Sequence, residues 1–387
     1  MKKYFFLAAM ASVALASCTN DVPDASVNEQ KEINFAAPVV GANSRSATSP
    51  EVGAIEGVKY PENENFTVYA MWSPNTYATW ADSQNKLYMD RVECKRVDVT
   101  PANDYWAPEA KYYWPKNGKL TFAAYSPAVA HKESPYQGEG TFNYAEDGLT
   151  IENYRVYEDA SKHYDLLYST RSYNRVDNNE TESVSDYDGV DLNFKHALSL
   201  IQFKVKTAAT YSNNTITLTS IKVLNACAVG KFKENITDGA SYNANPQWTE
   251  LTDRFTTGYE AVVANQEVNN TATAISSYND IIVLPQTLAA SPIADSPKIQ
   301  VQYNLTNPQS VTIPITLVIN LADTNNDGTA DYLQAGSVYV TEWEIGKKYT
   351  YTITIGLNEI HLAPYVTEWV TDLDGDSNAD DDITVNY

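Results

Sequence analysis

Apolar and polar residues alternate along this chain in short runs. Residues 32–40 read Glu-Ile-Asn-Phe-Ala-Ala-Pro-Val-Val, enough for one short strand that Gly41 ends. The same period-two pattern returns at 65–72 and 119–125, and Arg91 and Arg96 also lie in strand-like sequence. Residues 192–198 alternate cleanly, then Ile201, Phe203 and Val205 resume with shifted parity, which predicts a bulge or tight turn near Ser199. Residues 215–224, 280–284, 298–305 and 311–321 are strand-like as well, and Tyr349, Tyr351, Ile353 and Ile355 share one strand face. Long helical periodicity is absent. Short strands separated by turn residues predict an all-β fold built of sandwiches rather than βαβ units.

Polar stretches punctuate this pattern. Residues 19–30 hold little that could pack and read as a tether, and the small residues of 42–50 read as an exposed, protease-accessible loop. The acidic tract 177–189 reads as a loop or linker near a domain boundary. A second acidic spacer, 372–382, precedes Ile383-Thr384-Val385-Asn386-Tyr387, whose side chains alternate. The start of the chain differs in kind: Lys2 and Lys3, an apolar run from Tyr4 to Leu15 too short to span a bilayer, then Leu15-Ala16-Ser17-Cys18. That order predicts a lipoprotein signal peptide, with Cys18 as the acylated first residue of an exported chain held at a membrane by lipid. The expected organisation is a signal peptide at 1–18, a tether and first strand at 19–45, one β-sandwich at 46–190 and a second at 191–387.

Composition narrows the function. With 28 tyrosines and few methionines the chain is β-rich, and 27 basic against 49 acidic residues give a formal charge of −22, which argues against nucleic-acid binding. Beyond Cys18 there are only Cys94 and Cys227, so no disulfide framework replaces a hydrophobic core. The four histidines, His131, His163, His196 and His361, lack zinc spacing, and no nucleophile motif or phosphate-cradling loop appears, so the chain does not read as an enzyme. His196 alternates with Phe194 and Leu198 and reads as a core histidine with a hydrogen-bond partner.

Several segments in order carry a resemblance. They are Tyr112-Tyr113-Trp114-Pro115 with Leu120-Thr121-Phe122-Ala123-Ala124-Tyr125-Ser126-Pro127, then Asp165-Leu166-Leu167-Tyr168, then Leu192-Asn193-Phe194-Lys195-His196-Ala197-Leu198-Ser199. Trp343, Gly346, Tyr349-Thr350-Tyr351, Ile360, Val366 and Trp369 complete the set. Together they resemble the fimbrillin family, the type V pilins and related surface lipoproteins of Bacteroidales-type bacteria. Without the family, the Tyr-Trp-Pro run reads as an edge strand ending at a proline, its rings covering one end of a core.

The resemblance implies two tandem transthyretin-like, Greek-key β-sandwiches and a structural or accessory subunit, stalk or tip, of a fimbria or pilus active in adhesion and biofilm formation. Similar proteins reach the outer membrane as lipoproteins and are cut after an arginine in the loop that follows the first strand. Arg45 is the matching position, with Ser46 the new first residue. Cutting there would remove the strand containing Ile33, Asn34 and Phe35 and open a groove for a strand from another pilin subunit. Ile383, Val385 and Tyr387 are the candidate donor, although the same residues would also complete the chain's own last sheet. A host or bacterial surface receptor or glycan is a further candidate partner. No cofactor is expected, with one candidate exception: Asp323, Asn325, Asp327 and Asp331 space oxygen ligands as a calcium loop does, while Asn326-Asp327-Gly328 is equally a strong turn signal. A competing reading is a glycan-binding surface lipoprotein of a nutrient-uptake system, for which a row of exposed Trp and Tyr side chains would speak.

Overall fold

The computed structural model describes residues 32–36, 38–40, 58–61, 64–74, 86–97, 105–115, 119–128, 141–145, 148–169, 172–173, 189–209, 213–236, 245–275, 281–356 and 360–369. The fold is all-β. Among the described residues the helical turns are two single 3-10 turns, Ala160–Lys162 and Ile293–Asp295.

The first sheet runs in the order Phe35–Ala36, Tyr105–Pro108, Lys86–Val97, Phe66–Ser73, Lys119–Ser126, Leu167–Ser169, Asn193–His196, Val39–Val40 and Val58–Lys59, with Ser172–Tyr173 added to Lys119–Ser126. Alternation sorts its residues between two cores. Phe66, Val68, Ala70 and Trp72 of one strand enter the inner core of this sheet, while Tyr69 joins a larger core on its other face. Leu167 and Tyr168 divide in the same way. The expected single strand over 32–40 is two short pairings, because Pro38, which cannot donate to a ladder, separates them. The Tyr-Trp-Pro run forms only an isolated bridge, Tyr113 to Glu32, and the strand at this point is the earlier Tyr105–Pro108. Trp114 nonetheless packs edge-on against Phe122 at 5.7 Å in the inner core.

A second sheet orders Gln247–Phe255, Ala226–Lys233, Gly148–Arg155 and Thr141–Ala145, so sequence from both sides of residue 190 shares one ladder. Most of the remaining strands form two facing sheets, and two short pairs, Gln286–Thr287 with Glu342–Trp343 and Gln334–Ala335 with Val338–Tyr339, stand apart from them. One facing sheet holds Thr273–Ala274, Ser199–Thr207, Lys347–Ile355 and Ile360–Glu368, with Ile281–Val283 paired to Ser199–Thr207. The other holds Tyr259–Val268, Thr215–Leu224, Lys298–Thr306 and Thr312–Asn320. Phe203, Val205, Tyr351 and Ile353 from the first pack with Leu218, Ile221, Val301 and Tyr303 from the second in the large core. Within Thr215–Leu224 a register shift between Leu218 and Ser220 inverts the parity, which keeps both Leu218 and Ile221 buried. The parity change near Ser199 has a different cause. The chain bends at Ala197 and Leu198, leaves the first sheet at His196 and enters another at Ser199.

Burial of so many phenols has a consequence for alkaline stability. Desolvation pushes Tyr125 up to about 12 and raises Tyr60, Tyr69, Tyr168, Tyr259, Tyr349 and Tyr351 as well. In the unfolded chain these groups ionise near their ordinary value of 10.0. Their contribution is therefore complete below pH 10 and falls as the pH rises toward the folded values, by roughly 1 kcal/mol per tyrosine per pH unit. Several act together against a typical total of about 5–15 kcal/mol. We expect circular dichroism to report cooperative unfolding between about pH 10 and 12, with the tyrosines ionising in the same step. Independent ionisation near pH 10 with the β signal intact would contradict it.

Candidate strand-exchange site

The segment 32–40 forms one end of the first sheet and the strand next to its other end. Phe35 and Ala36 pair antiparallel with Trp106 and Tyr105, whereas Val39 and Val40 pair parallel with Asn193 and Phe194 and antiparallel with Lys59 and Val58. Its backbone is also satisfied between these pairings. The Ile33 amide donates to the Tyr112 carbonyl at 2.8 Å, the Val190 amide to Asn34 at 2.9 Å, the Ala36 amide to Val190 at 3.0 Å and the Tyr60 amide to Pro38 at 2.9 Å. Glu32 adds an exposed ion pair with Lys111. One leading segment therefore lies between Tyr105–Pro108 and Val190–Phe194 and closes the sheet on itself.

Side chains make the closure strong. Ile33, Phe35 and Val40 are buried in the inner core, and the Phe35 ring meets Phe66 and Phe122 edge-on, each at 5.6 Å. Behind them Tyr60 stacks on Phe194 at 5.3 Å, and its hydroxyl lies 2.6 Å from Ser126 Oγ. Trp106 is fully buried and donates its indole N–H to the Glu64 carbonyl. Burying three such side chains contributes about 5–9 kcal/mol, comparable with the whole stability of an ordinary domain. Departure of the segment forfeits that burial unless another strand replaces it.

Gly189 is fitted to this approach. Its φ of 141° is unfavourable for other residues, and a Cβ there would sit 2.8 Å from the Ala36 backbone nitrogen. Gly189 ends the acidic tract, where it reads from sequence only as a turn residue. Val190, Trp106 and Tyr60 were equally hard to find, since their role depends on pairing across distant sequence.

Of the residues singled out from sequence, Ile33, Asn34 and Phe35 lie in this seat. Cys18, Arg45, Ser46, Ile383, Val385 and Tyr387 lie outside the described residues, as does the 372–382 spacer. His196 is buried, with Nδ1 2.8 Å from Asp165 Oδ2 and its ring stacked on Trp369 at 4.1 Å. The same junction receives the Gly346 amide, which donates to the Leu198 carbonyl, and the Trp369 amide, which donates to Gly346. Cys94 and Cys227 are free and buried, and burial raises both thiols.

The acidic loop at 323–331 spends its oxygens on its own turn. Asp323 accepts from the Asp327 and Gly328 amides, Asp331 from the Thr324 amide and hydroxyl, and Asp327 from Thr329 and the Asn325 side chain. Among the described residues no group of three or more His, Cys, Asp or Glu is placed to hold a metal. This donor set fits a tight turn better than a calcium cage. As for stacking surfaces, Trp72, Trp106, Trp114, Trp343 and Trp369 are buried, and Trp248 is half-buried with its N–H donated to Ala197. Among the described residues the large exposed aromatics are Tyr339 and Tyr365.

Comparison with known proteins bears on this geometry. A family profile described as fimbrillin-like matches residues 56–369. No curated protein matches the chain. A fimbrial protein from Bacteroides vulgatus has a similar structure, with 17% identity, a TM-score of 0.50, and coverage of 88% of this chain and 100% of that one. A candidate cell adhesion protein from Bacteroides uniformis aligns over 89% of this chain and 100% of its own at 13% identity and a TM-score of 0.44. A fimbrilin from Porphyromonas gingivalis aligns over 89% and 99% at 10% identity and a TM-score of 0.38. At these identities the likeness speaks for the fold alone, and only the first score carries weight.

Two substitutions probe the seat and one the loop. Phe35→Ala should lower the stability of the intact chain by about 3–5 kcal/mol in urea titration. Gly189→Ala should expose the Ala36 and Val190 amides to faster hydrogen exchange while protection in Ser199–Thr207 persists. Asp323→Ala should cost about 1–3 kcal/mol, equally with calcium and with a chelator. A calcium-dependent melting temperature in the unsubstituted chain would contradict the turn assignment.

Proposed function

The chain belongs to the fimbrillin-like family, and from that membership we propose that it is a structural or accessory pilus subunit whose leading strand caps the site used for polymerisation. This is a structural rather than a catalytic role. The observation that carries the proposal is the placement of segment 32–40, paired on both sides and buried in the inner core.

The precursor is exported, acylated at Cys18 and delivered to the outer membrane. A cut after Arg45 detaches residues 18–45, acylated Cys18 included, from the body of the chain. Residues 1–45 hold Lys2, Lys3, Lys31 and Arg45 against Asp21, Asp24, Glu29 and Glu32, so their loss leaves the formal charge at −22. Trimmed chains of that charge still repel one another, so net charge does not drive assembly. Losing the strand leaves apolar side chains such as Phe66, Phe122 and Trp106 uncovered, together with unpaired backbone at Tyr105–Trp106 and Val190–Phe194. Replacing water on such a surface is worth about 25 cal/mol per Å², and an incoming strand also restores the hydrogen bonds. Ile383, Val385 and Tyr387 have the required alternation, and the acidic spacer 372–382 gives them reach.

We assign the body of the chain to two transthyretin-like, Greek-key units divided near residue 190, with Thr141–Ala145 and Gly148–Arg155 reaching across to Ala226–Lys233. Adhesion to a surface receptor or glycan, and a part in biofilm, would follow from display on a fimbria. The glycan-uptake alternative draws no support from the tryptophans, whose described members are buried or half-buried in cores.

Digestion with an arginine-specific protease, followed by amino-terminal sequencing and electron microscopy, tests the reading. We expect Ser46 as the new first residue and filaments from the trimmed chain. Arg45→Ala should stay monomeric under the same treatment. Val385→Asp with Tyr387→Asp should be trimmed normally yet fail to polymerise. A trimmed chain that has lost 18–45 and forms no filaments would overturn capping.

A further inference from the structure

Residues 156–166 connect the second sheet to the first, running from Gly148–Arg155 to Leu167–Ser169. Backbone bonds pin both ends of this connection. The Val156 amide donates to the Ala228 carbonyl at 2.9 Å, and the Leu166 carbonyl accepts from the Ala197 amide at 2.8 Å. Between these pins lies the 3-10 turn Ala160–Lys162, begun by Asp159, whose carboxylate accepts from the Ser161 amide and hydroxyl. His163 ends the turn, its own amide donating to the Ala160 carbonyl at 3.2 Å. Its side chain reaches a third sheet.

Both ring nitrogens of His163 have backbone partners. Nε2 lies 2.8 Å from the Tyr157 carbonyl oxygen, and Nδ1 lies 3.0 Å from the Ile282 amide nitrogen. A carbonyl can only accept and an amide N–H can only donate, so the partners decide the tautomer: Nε2 carries the proton and Nδ1 is bare. Ile282 belongs to Ile281–Val283, which pairs with Ser199–Ile201 and, among the described residues, with no second strand. The half-buried imidazole therefore takes the place of a further strand at the Ile282 amide. Tyr259 covers the ring edge-on at 5.1 Å, and the small pocket beside it is lined by Tyr154, Val156, Tyr157, Tyr164, Leu198 and Ile282, none of them acidic or basic.

We propose that His163 is an acid-sensitive clasp, which holds the 156–166 connection to the edge of Ile281–Val283 at neutral pH and releases it in acid. A proton added at Nδ1 turns the acceptor into a donor facing the Ile282 N–H. Turning the ring over gives no relief, because both nitrogens of an imidazolium donate. The charged groups around it are few. Glu158, Asp159, Lys162 and Asp165 lie on its own connection, the facing strands bring Tyr259 and the apolar Ile281–Val283, and Arg155 is paired with Asp253. Asp159 is held below the usual carboxyl range by its bonds from Ser161, with smaller contributions from Lys162 and His163. Its field favours a charged ring but acts through solvent, where it is screened, whereas the Ile282 bond is lost outright. Carboxyls ordinarily titrate below about pH 5 and phenols and amines above about pH 9, which leaves His163 to change charge between them in this set. A folded state that needs the bare ring is favoured above about pH 6.5, the ordinary imidazole value, and loses that advantage as the pH falls below it. The inference is independent of cleavage and of the pilus role.

Nitrogen-15 NMR on the full chain, labelled only in its four histidines, tests the tautomer, with His163→Asn or His163→Gln identifying the His163 signals. Above about pH 7 Nε2 should show the shift of a protonated ring nitrogen and Nδ1 that of a bare one. The reverse tautomer, or exchange between the two, overturns the proposal. Hydrogen exchange then reads the clasp itself. Between about pH 7 and pH 5 the protection factor of the Ile282 amide should fall about tenfold or more, while Thr215–Leu224 keeps its protection. In His163→Asn, Oδ1 stands where Nδ1 did and accepts without titrating, so protection at Ile282 should no longer depend on pH. His163→Ala should leave that amide weakly protected at both values. Protection that ignores pH in the unsubstituted chain overturns the proposal. So does a fall that persists in His163→Asn, which would assign the response to the neighbouring His196–Asp165 pair.

Discussion

A sheet that closes through one short segment depends on that segment for its closure. Here residues 32–40 provide the link, bonded to Trp106 on one side and to Val190, Asn193 and Phe194 on the other. The arrangement concentrates a large part of the inner core's burial in Ile33, Phe35 and Val40, three side chains near the start of the described residues. A cut in the following loop would leave the segment held only by noncovalent contacts. Under the proposed function this would keep the uncut chain monomeric, because the surface that would favour association is already satisfied by a piece of the same chain.

The rest of the fold makes such a loss survivable. Strand alternation delivers Tyr69, Tyr125 and Tyr168 to the large core on the opposite face of the first sheet, away from the leading segment. That core is shared with the hairpin around residues 141–155 and with the two facing sheets of the C-terminal half. His196 and Trp369 stack where the chain passes from one sheet to the next, and Gly346 bonds to both Leu198 and Trp369 there. Opening the inner core therefore leaves the larger one with its own contacts.

Much of this was legible in the sequence. Period-two runs located Phe66–Ser73, Lys119–Ser126, Lys298–Thr306 and Lys347–Ile355 to within a residue or two, because each buries alternate apolar side chains. Gln247–Phe255 was not legible: most of its side chains face solvent, and the left-handed Glu250 and Asp253 break its pattern. The buried position of Ile33 and Phe35 followed from their alternation, but the two-sided seat did not. Its other wall is built by Trp106, Gly189 and Val190, far away in sequence and unmarked by any local pattern. The acidic loop at Asp323 was ambiguous for a related reason, since oxygen spacing is the same whether the acceptors face a cation or their own amides. In the structure the Asp323 and Asp331 carboxylates accept from amides of their own turn.

Hydrogen-exchange mass spectrometry on the intact chain and on the chain trimmed after Arg45, both kept dilute enough to prevent assembly, tests the central claim most directly. The account predicts that trimming strips protection from Tyr105–Pro108 and from residues 190–194, while Ser199–Thr207 and Thr215–Leu224 remain as protected as before. Unchanged protection at 105–108 and 190–194 after the leading segment has left would contradict it.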